Sequence, residues 1–469
     1  MPACVLCECV LCEWKIGTKR MTPEISLSSC APWTCLIPVP VLRADSDGFS
    51  HHPGNHTGRM AGLARSDHVA VLTRSTLYVW GGCQYVDGEE LTLPSDEIWL
   101  YDMESGLWAH RGMGGEVPPH LSQTCGSFLQ GMLYVFGGCD GRGPTNQMYC
   151  VDLQDEKYTW RKMGARAGAP PSPRDRHSCW AYTDRLIYFG GYGCKTASEV
   201  NDFKSFTVDE ASWPTAGDVL FRFWGWNNEV HVFEPDSATW TEPRTQGQPP
   251  EPRSSHASAC LDSRGYICGG LERQTIDIHC LDLVTWTWTH IDPVSVPLPM
   301  GRSLHTLTPS SPSTLFLFGG LSTSGQVLSD GWEFDTVKGD WRQRQHLHTD
   351  KPRLWHSAAQ GKDGEVVVFG GSRDYVLVTD SVMVLRSPSQ SHCDDVLVFQ
   401  TQPYSLSRLC EDCLGKHVCA LEEQVSNLPA RIQLTLQKRM TYFRTRVKPE
   451  QSSVIDMNLG QKETKKPTP

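Results

Sequence analysis

Six short apolar runs, each closed by two glycines, punctuate the chain: LYVWGG (Gly81, Gly82), LYVFGG (Gly137, Gly138), LIYFGG (Gly190, Gly191), GYICGG (Gly269, Gly270), LFLFGG (Gly319, Gly320) and VVVFGG (Gly370, Gly371). Their first glycines are 56, 53, 79, 50 and 51 residues apart. Each run follows one apolar segment, such as HVAVL or HASAC, and precedes another, such as IWLYDM, VHVFEP or IHCLDL. Five of the units close on a tryptophan: Trp108, Trp160, Trp240, Trp288 and Trp341. Runs this short, bounded by Pro/Gly turns, predict strands, and four per unit at this period predict the blades of an all-β, six-bladed propeller. A blade's second strand is covered on both faces by its neighbours and therefore reads as a continuous apolar run. The glycines are expected where the backbone turns tightly at the crowded centre.

Two units depart from the period. The third is longer by some 25 residues, in the segment KTASEVNDFKSFTVDEASWPTAGDVLFRFWGWNN with Trp213, Trp224 and Trp226, which is expected to leave the ring and project over one face. The sixth ends on DVLVFQT with three strands, leaving the source of a fourth open.

An R-x-x-H pattern precedes the first strand in five units: Arg65/His68, Arg174/His177, Arg253/His256, Arg302/His305 and Arg353/His356, with His120 and Gln123 read at those places in the second. A catalytic or metal-binding histidine is needed once, so a recurring one reads as structural. The arginines share a face with the residues after each glycine pair, because antiparallel strands alternate direction. An inter-blade ion pair is the simpler role for any one of them; convergence at the channel mouth would favour an anionic ligand.

The periodicity changes after Pro403. In SLSRLCEDCL, Leu406, Cys410 and Leu414 recur every four residues and predict a helix capped by Ser405. In LPARIQLTL, Pro429 suits a helix start, and Ile432 and Leu436 lie four apart. Two short amphipathic helices beyond a complete ring either pack on it or meet a partner. The chain is thereby divided into an unstructured leader (1–60), the propeller (61–402), a helical docking segment (403–446) and a disordered tail (447–469).

Composition narrows the partners. The 43 basic and 53 acidic residues give a net charge of −10 without a long basic run, which argues against nucleic acid. No apolar run reaches the roughly 18 residues that span a bilayer, and the first residues lack the features of a signal peptide. A soluble, cytoplasmic chain with no membrane partner is expected. The 19 cysteines, scattered through apolar runs, read as reduced thiols rather than a disulfide scaffold. Cys4, Cys7, Cys9 and Cys12 form two CxxC pairs too tightly spaced for a zinc finger and are assigned to the leader.

The double glycine, the spaced tyrosine and tryptophan, and the period near fifty resemble the kelch repeat over about residues 62–400. SLxxxCxxxL, filled by Ser405, Leu406, Cys410 and Leu414, resembles the BC box that docks on Elongin C. LPxxΦxxxΦ, filled by Leu428, Pro429, Ile432 and Leu436, resembles the cullin-2 box. Both boxes, in this order after a kelch ring, resemble the substrate receptors of cullin-2 ubiquitin ligases that bind proteins ending in glycine. The resemblance implies a non-catalytic subunit without cofactor or metal. Its implied partners are Elongin B/C, cullin-2 with its RING protein, and substrates bearing C-terminal glycine degrons. It also implies degron contacts by Arg176, Tyr192, Trp226, Arg273 and Ser303. The family has arginines directly after the fourth blade's glycines and five residues further on. Here Leu271 follows Gly270, the loop GGLERQTIDIH is two residues shorter, and only Arg273 is near; Leu304 replaces the tryptophan expected after Ser303. A kelch scaffold without a ligase is the competing class. A propeller enzyme is a third, without recurring Asp-box segments or an unrepeated His/Tyr metal set to support it.

Overall fold

The structure, a computed structural model, describes residues 63–86, 89–200, 205–210, 222–271, 273–294, 296–374, 392–417, 425 and 427–446. The leader with Cys4, Cys7, Cys9 and Cys12, Trp213, most of PTAGDVLFR, the segment VMVLRSPSQ and the tail lie outside these residues. The chain divides into two compact units, one built of strands through Leu406 and a helical one from Ser407.

The strand unit contains the six predicted antiparallel meanders. The fourth runs through Ala257–Leu261, Arg264–Cys268, Ile278–Asp282 and Thr287–Ile291, with each strand bonded to the next. The others repeat it, except that the sixth has three strands among the described residues, ending on Val396–Phe399. The second strands are the most enclosed elements: Val366, Val367, Val368 and Phe369 are all buried. Apolar side chains form six clusters, each made by two neighbouring blades, and one joins the sixth blade to the first through Phe369, Val367, Trp108 and Val79.

The closing tryptophan packs on the last residue of the preceding blade's second strand. Trp160 meets Trp80 at 5.0 Å between ring centroids, Trp240 meets Phe136 at 5.1 Å, and Trp108 meets Phe369 at 5.0 Å. Among the described residues the sixth blade has no such tryptophan; Phe399 of its third strand meets Phe318 at 4.6 Å.

The glycine pairs do more than turn the chain near the centre. The second glycine's N–H donates to the carbonyl that opens the next blade: Gly82 to Leu121, Gly138 to Arg174, Gly191 to Arg253, Gly270 to Arg302, Gly320 to Arg353, and Gly371 back to Arg65. A Cβ on Gly269 would stand 2.5 Å from the Arg302 carbonyl oxygen, and one on Gly270 would stand 2.4 Å from that of Ser254. Both glycines have positive φ, so sterics and conformation independently exclude a side chain.

A second ring of bonds joins Asp67, Gln123, Arg176, Ser255, Leu304 and Trp355. Each N–H donates to the preceding member's carbonyl, and Asp67 closes the ring on Trp355 at 3.0 Å. All six have φ between 49° and 57°. This ring corrects the frame of the second blade. Gln123 is the ring residue, so Leu121 and Thr124, rather than His120 and Gln123, occupy the R and H places.

The long third unit uses its extra residues for a separate sheet. Arg174–Asp175, Tyr192–Thr196, Arg222–Asn227 and Phe206–Val208 pair in that order, setting Tyr192 opposite Trp226. Smaller hairpins rise from the same end of other blades, including Arg302–Ser303 with Leu321–Ser322.

The helical unit holds α1 (Leu406–His417, whose first residue closes the strand unit) and α2 (Ala430–Arg446). Gly415 lies against Arg439, where a Cβ would come within 2.8 Å of the Arg439 Cβ. Arg439 is buried, forms an ion pair with Asp412 and stacks 4.4 Å from the Tyr442 ring centroid. No helix among the described residues is long and apolar enough to cross a membrane.

Candidate functional site

The five R-x-x-H arginines do not form a cationic pocket. All five are at most 1% exposed. Arg253 donates to both oxygens of Asp277, at 3.0 and 2.9 Å, and to the Gly269 carbonyl at 3.0 Å. Arg302 holds Asp330 at 2.6 and 2.8 Å, Arg174 holds Glu229 at 2.8 Å, and Arg353 holds Asp395 at 2.9 Å. Each carboxylate belongs to the arginine's own blade and directly precedes its third strand, so the expected inter-blade pairing is corrected. Burial alone would raise the Asp277 pKa; the bonds from His279 and Arg253 outweigh it and hold the carboxyl well below its usual range. Burial pulls the Arg65 guanidinium down to about 10.

Four of the five histidines bond to the preceding blade, His305 through Cys268 Sγ at 3.4 Å, while His177 meets it through the Phe136 ring at 5.4 Å. His256 Nε2 lies 2.8 Å from Ser178 Oγ of the preceding blade, His68 Nε2 lies 2.7 Å from Ser357 Oγ, and His356 Nε2 lies 3.0 Å from Thr306 Oγ1. Burial, with the adjacent arginine, pushes His256 and His356 down to about 3, leaving neutral rings. Among the described residues, no three His, Cys, Asp or Glu side chains are grouped to hold a metal ion.

On the arginine-bearing face a cavity of about 1030 Å³ opens between the third, fourth and fifth blades. Trp226 and Ser303 line it, together with Leu271. Three other predicted contacts are not on its wall. Arg176 occupies the central ring, half-buried, its N–H bonded to the Gln123 carbonyl. Tyr192 packs on Trp226 at 5.4 Å and Trp224 at 6.0 Å, and its hydroxyl donates to Asp209 Oδ2 at 2.8 Å. That hydroxyl is therefore committed within the inserted sheet. Arg273 donates to Glu251 at 2.5 Å. The bond raises the pKa of its guanidinium.

The wall is mainly hydroxyl-bearing and apolar. Thr207, Ser254, Ser255, Ser322, Thr323 and Ser324 contribute, and Glu251 stands among them. Sequence reading missed these residues. Ser254 and Ser255 are the two interior residues of the fourth blade's R-x-x-H, as Ser303 and Leu304 are of the fifth blade's. The repeated frame would have pointed to them once those places were known to form the inner ring.

The tail residues are placed in contrasting ways. Ser405 directly precedes α1, and its hydroxyl donates to Asp363 at 3.4 Å. Leu406 is 60% exposed, while Cys410 and Leu414 are half-buried. Pro429 opens α2, its carbonyl accepting the N–H groups of Ile432 and Gln433. Leu428 is half-buried, Pro429 and Ile432 are exposed, and Leu436 has no accessible surface, which gives Leu436 a packing role here.

The KLHDC2/KLHL20/DRC7 Kelch-repeats domain matches residues 67–320. Human Kelch domain-containing protein 1 is 46% identical over 384 residues, covering 81% of this chain and 91% of its own length. Bovine Kelch domain-containing protein 2 is 39% identical over 376 residues, covering 78% of this chain and 89% of its own. With its glycine pairs, inner ring and inter-blade tryptophans, the chain belongs to the kelch-repeat family that includes Kelch domain-containing proteins 1 and 2.

Proposed function

We propose that this protein is the substrate-receptor subunit of a cytoplasmic cullin-2–Elongin B/C ubiquitin ligase, itself non-catalytic, with its kelch unit selecting proteins by a C-terminal glycine degron for ubiquitination and proteasomal degradation. The observation that carries this reading is the helix that begins as the last blade ends, with Leu406 exposed at its first position. An exposed leucine at the head of a short helix is suited to an apolar pocket on another protein. In this reading Ser405, Leu406, Cys410 and Leu414 meet Elongin C. Leu428, Pro429 and Ile432 reach cullin-2 with its RING protein, and Leu436 holds α2 in place.

Burying Leu406 in such a pocket contributes about 1.5–3 kcal/mol. Leu406→Ser is therefore expected to weaken Elongin B/C co-purification tenfold or more, with thermal unfolding of the kelch unit unchanged. Full retention of Elongin B/C by the folded variant would leave a kelch scaffold without ligase function.

The cavity is the proposed degron site. A chain terminus offers a carboxylate and no distinguishing side chain, so its reader needs donors in a space that excludes a continuing chain. Ser303 supplies a hydroxyl, Trp226 a wall, Arg176 and Arg273 positive charge near the opening, and Tyr192 supports Trp226. Leu271, at the place where the resemblance implies an arginine, is expected to lower the affinity. A peptide ending in Gly-Gly is expected to bind, and its C-terminal amide at least tenfold less well, since hydrogen bonds to a charged group contribute about 1.5–3 kcal/mol. Ser303→Glu is expected to abolish binding by placing a like charge beside the carboxylate. Calorimetry with the two peptides decides: equal affinities would remove C-terminus reading.

A further inference from the structure

Among the described residues Glu251 is the acidic side chain on the cavity wall, and it is joined to Arg273, the arginine beside the fourth blade's glycines. Both side chains reach solvent, at 64% exposed for Glu251 and 45% for Arg273. The guanidinium that does line the wall, Arg302, is buried and committed to Asp330. Arg273 is thus a solvent-reaching cation near this opening, and Glu251 already holds it in the way a ligand's carboxylate would.

We propose that Glu251 is a specificity-determining residue that competes, as the chain's own carboxylate, for the guanidinium a substrate's C-terminus must engage. The inference rests on the C-terminus-reading function proposed above. An arriving carboxylate has to displace Glu251 and then tolerate it as a neighbouring like charge. An exposed pair is weak and screened by salt, so it is exchangeable rather than permanently shut. The effect is a raised threshold: the terminus alone binds more weakly, and substrates with further contacts along the cavity are favoured.

Glu251→Gln keeps the shape and the backbone carbonyl that accepts the Arg253 Nε–H at 3.0 Å, so the fold is expected to survive, as a thermal melt will check. Binding of a free Gly-Gly-ending peptide is expected to tighten about fivefold at low salt, less at high salt, while the amidated peptide changes by less than twofold. Adding Arg273→Ala to Glu251→Gln is expected to remove the gain. Unchanged affinity for the free peptide, or equal tightening for both peptides, overturns competition by Glu251 while leaving C-terminus reading intact. Equal binding of the two peptides to the unaltered protein, or binding of neither, overturns the reading and the inference together.

Discussion

Between pH 7 and pH 5 the kelch unit is expected to lose most of its stability. His68, His177, His256, His305 and His356 are buried, and burial beside the preceding arginine or other buried histidines holds all five rings neutral. For His256 and His356 the folded value falls to about 3. An unfolded histidine takes its proton near pH 6.5, so below that pH the unfolded chain binds more protons than the folded one. Stability therefore declines as pH drops through 6.5 and keeps declining toward 3. At about 1.4 kcal/mol per pH unit, each histidine costs about 2 kcal/mol by pH 5, and five together approach the roughly 5–15 kcal/mol that stabilises a typical domain. The carboxylates of Asp277 and Glu229, held low against burial by the bonds from His279 and His231 and by their arginines, add their own losses only at more acid pH. Urea midpoints at pH 7.5, 6 and 5 test this. A flat midpoint across that range would mean that these histidines accept protons inside the fold.

The second large effect is expected at the Arg253–Asp277 pair. Asp277→Ala would leave a guanidinium with no exposed surface facing only the Gly269 carbonyl and its own loop. Removing one member of a buried pair costs about 3–5 kcal/mol, mostly through the stranded charge. Replacing both members with apolar residues of similar size, Arg253→Met with Asp277→Leu, removes that charge and is expected to recover much of the loss. Denaturant unfolding of the two variants makes the comparison. A loss below 1 kcal/mol in the single variant would show that water reaches the arginine.

These effects depend on a repeat that was visible in the residues and on contacts that were not. A double glycine after an apolar run marks the end of a second strand, since only glycine fits where Gly270 meets the Ser254 carbonyl, and it recurs in each of the six described meanders. The tryptophans were legible as unit ends, whereas their seat on the preceding blade required the packing of Trp160 on Trp80 to be seen. In the second blade, His120 attracted the alignment because it resembles the other histidines, yet the hydrogen-bonded ring passes through Gln123.

The local periods were readable from the residues alone: strands of four to six residues, the blade spacing, the long third unit and the change to helices after Pro403. Those follow from side-chain alternation and from glycine and proline stereochemistry, which act over a few residues. Only the tertiary structure decided which way each arginine points. Arg253 and Arg273 are both arginines on one face, but one is buried against Asp277 and the other is held by Glu251 at the cavity mouth. A guanidinium's role is set by the carboxylate within reach of it and by its access to water, and both arise from residues that folding brings together.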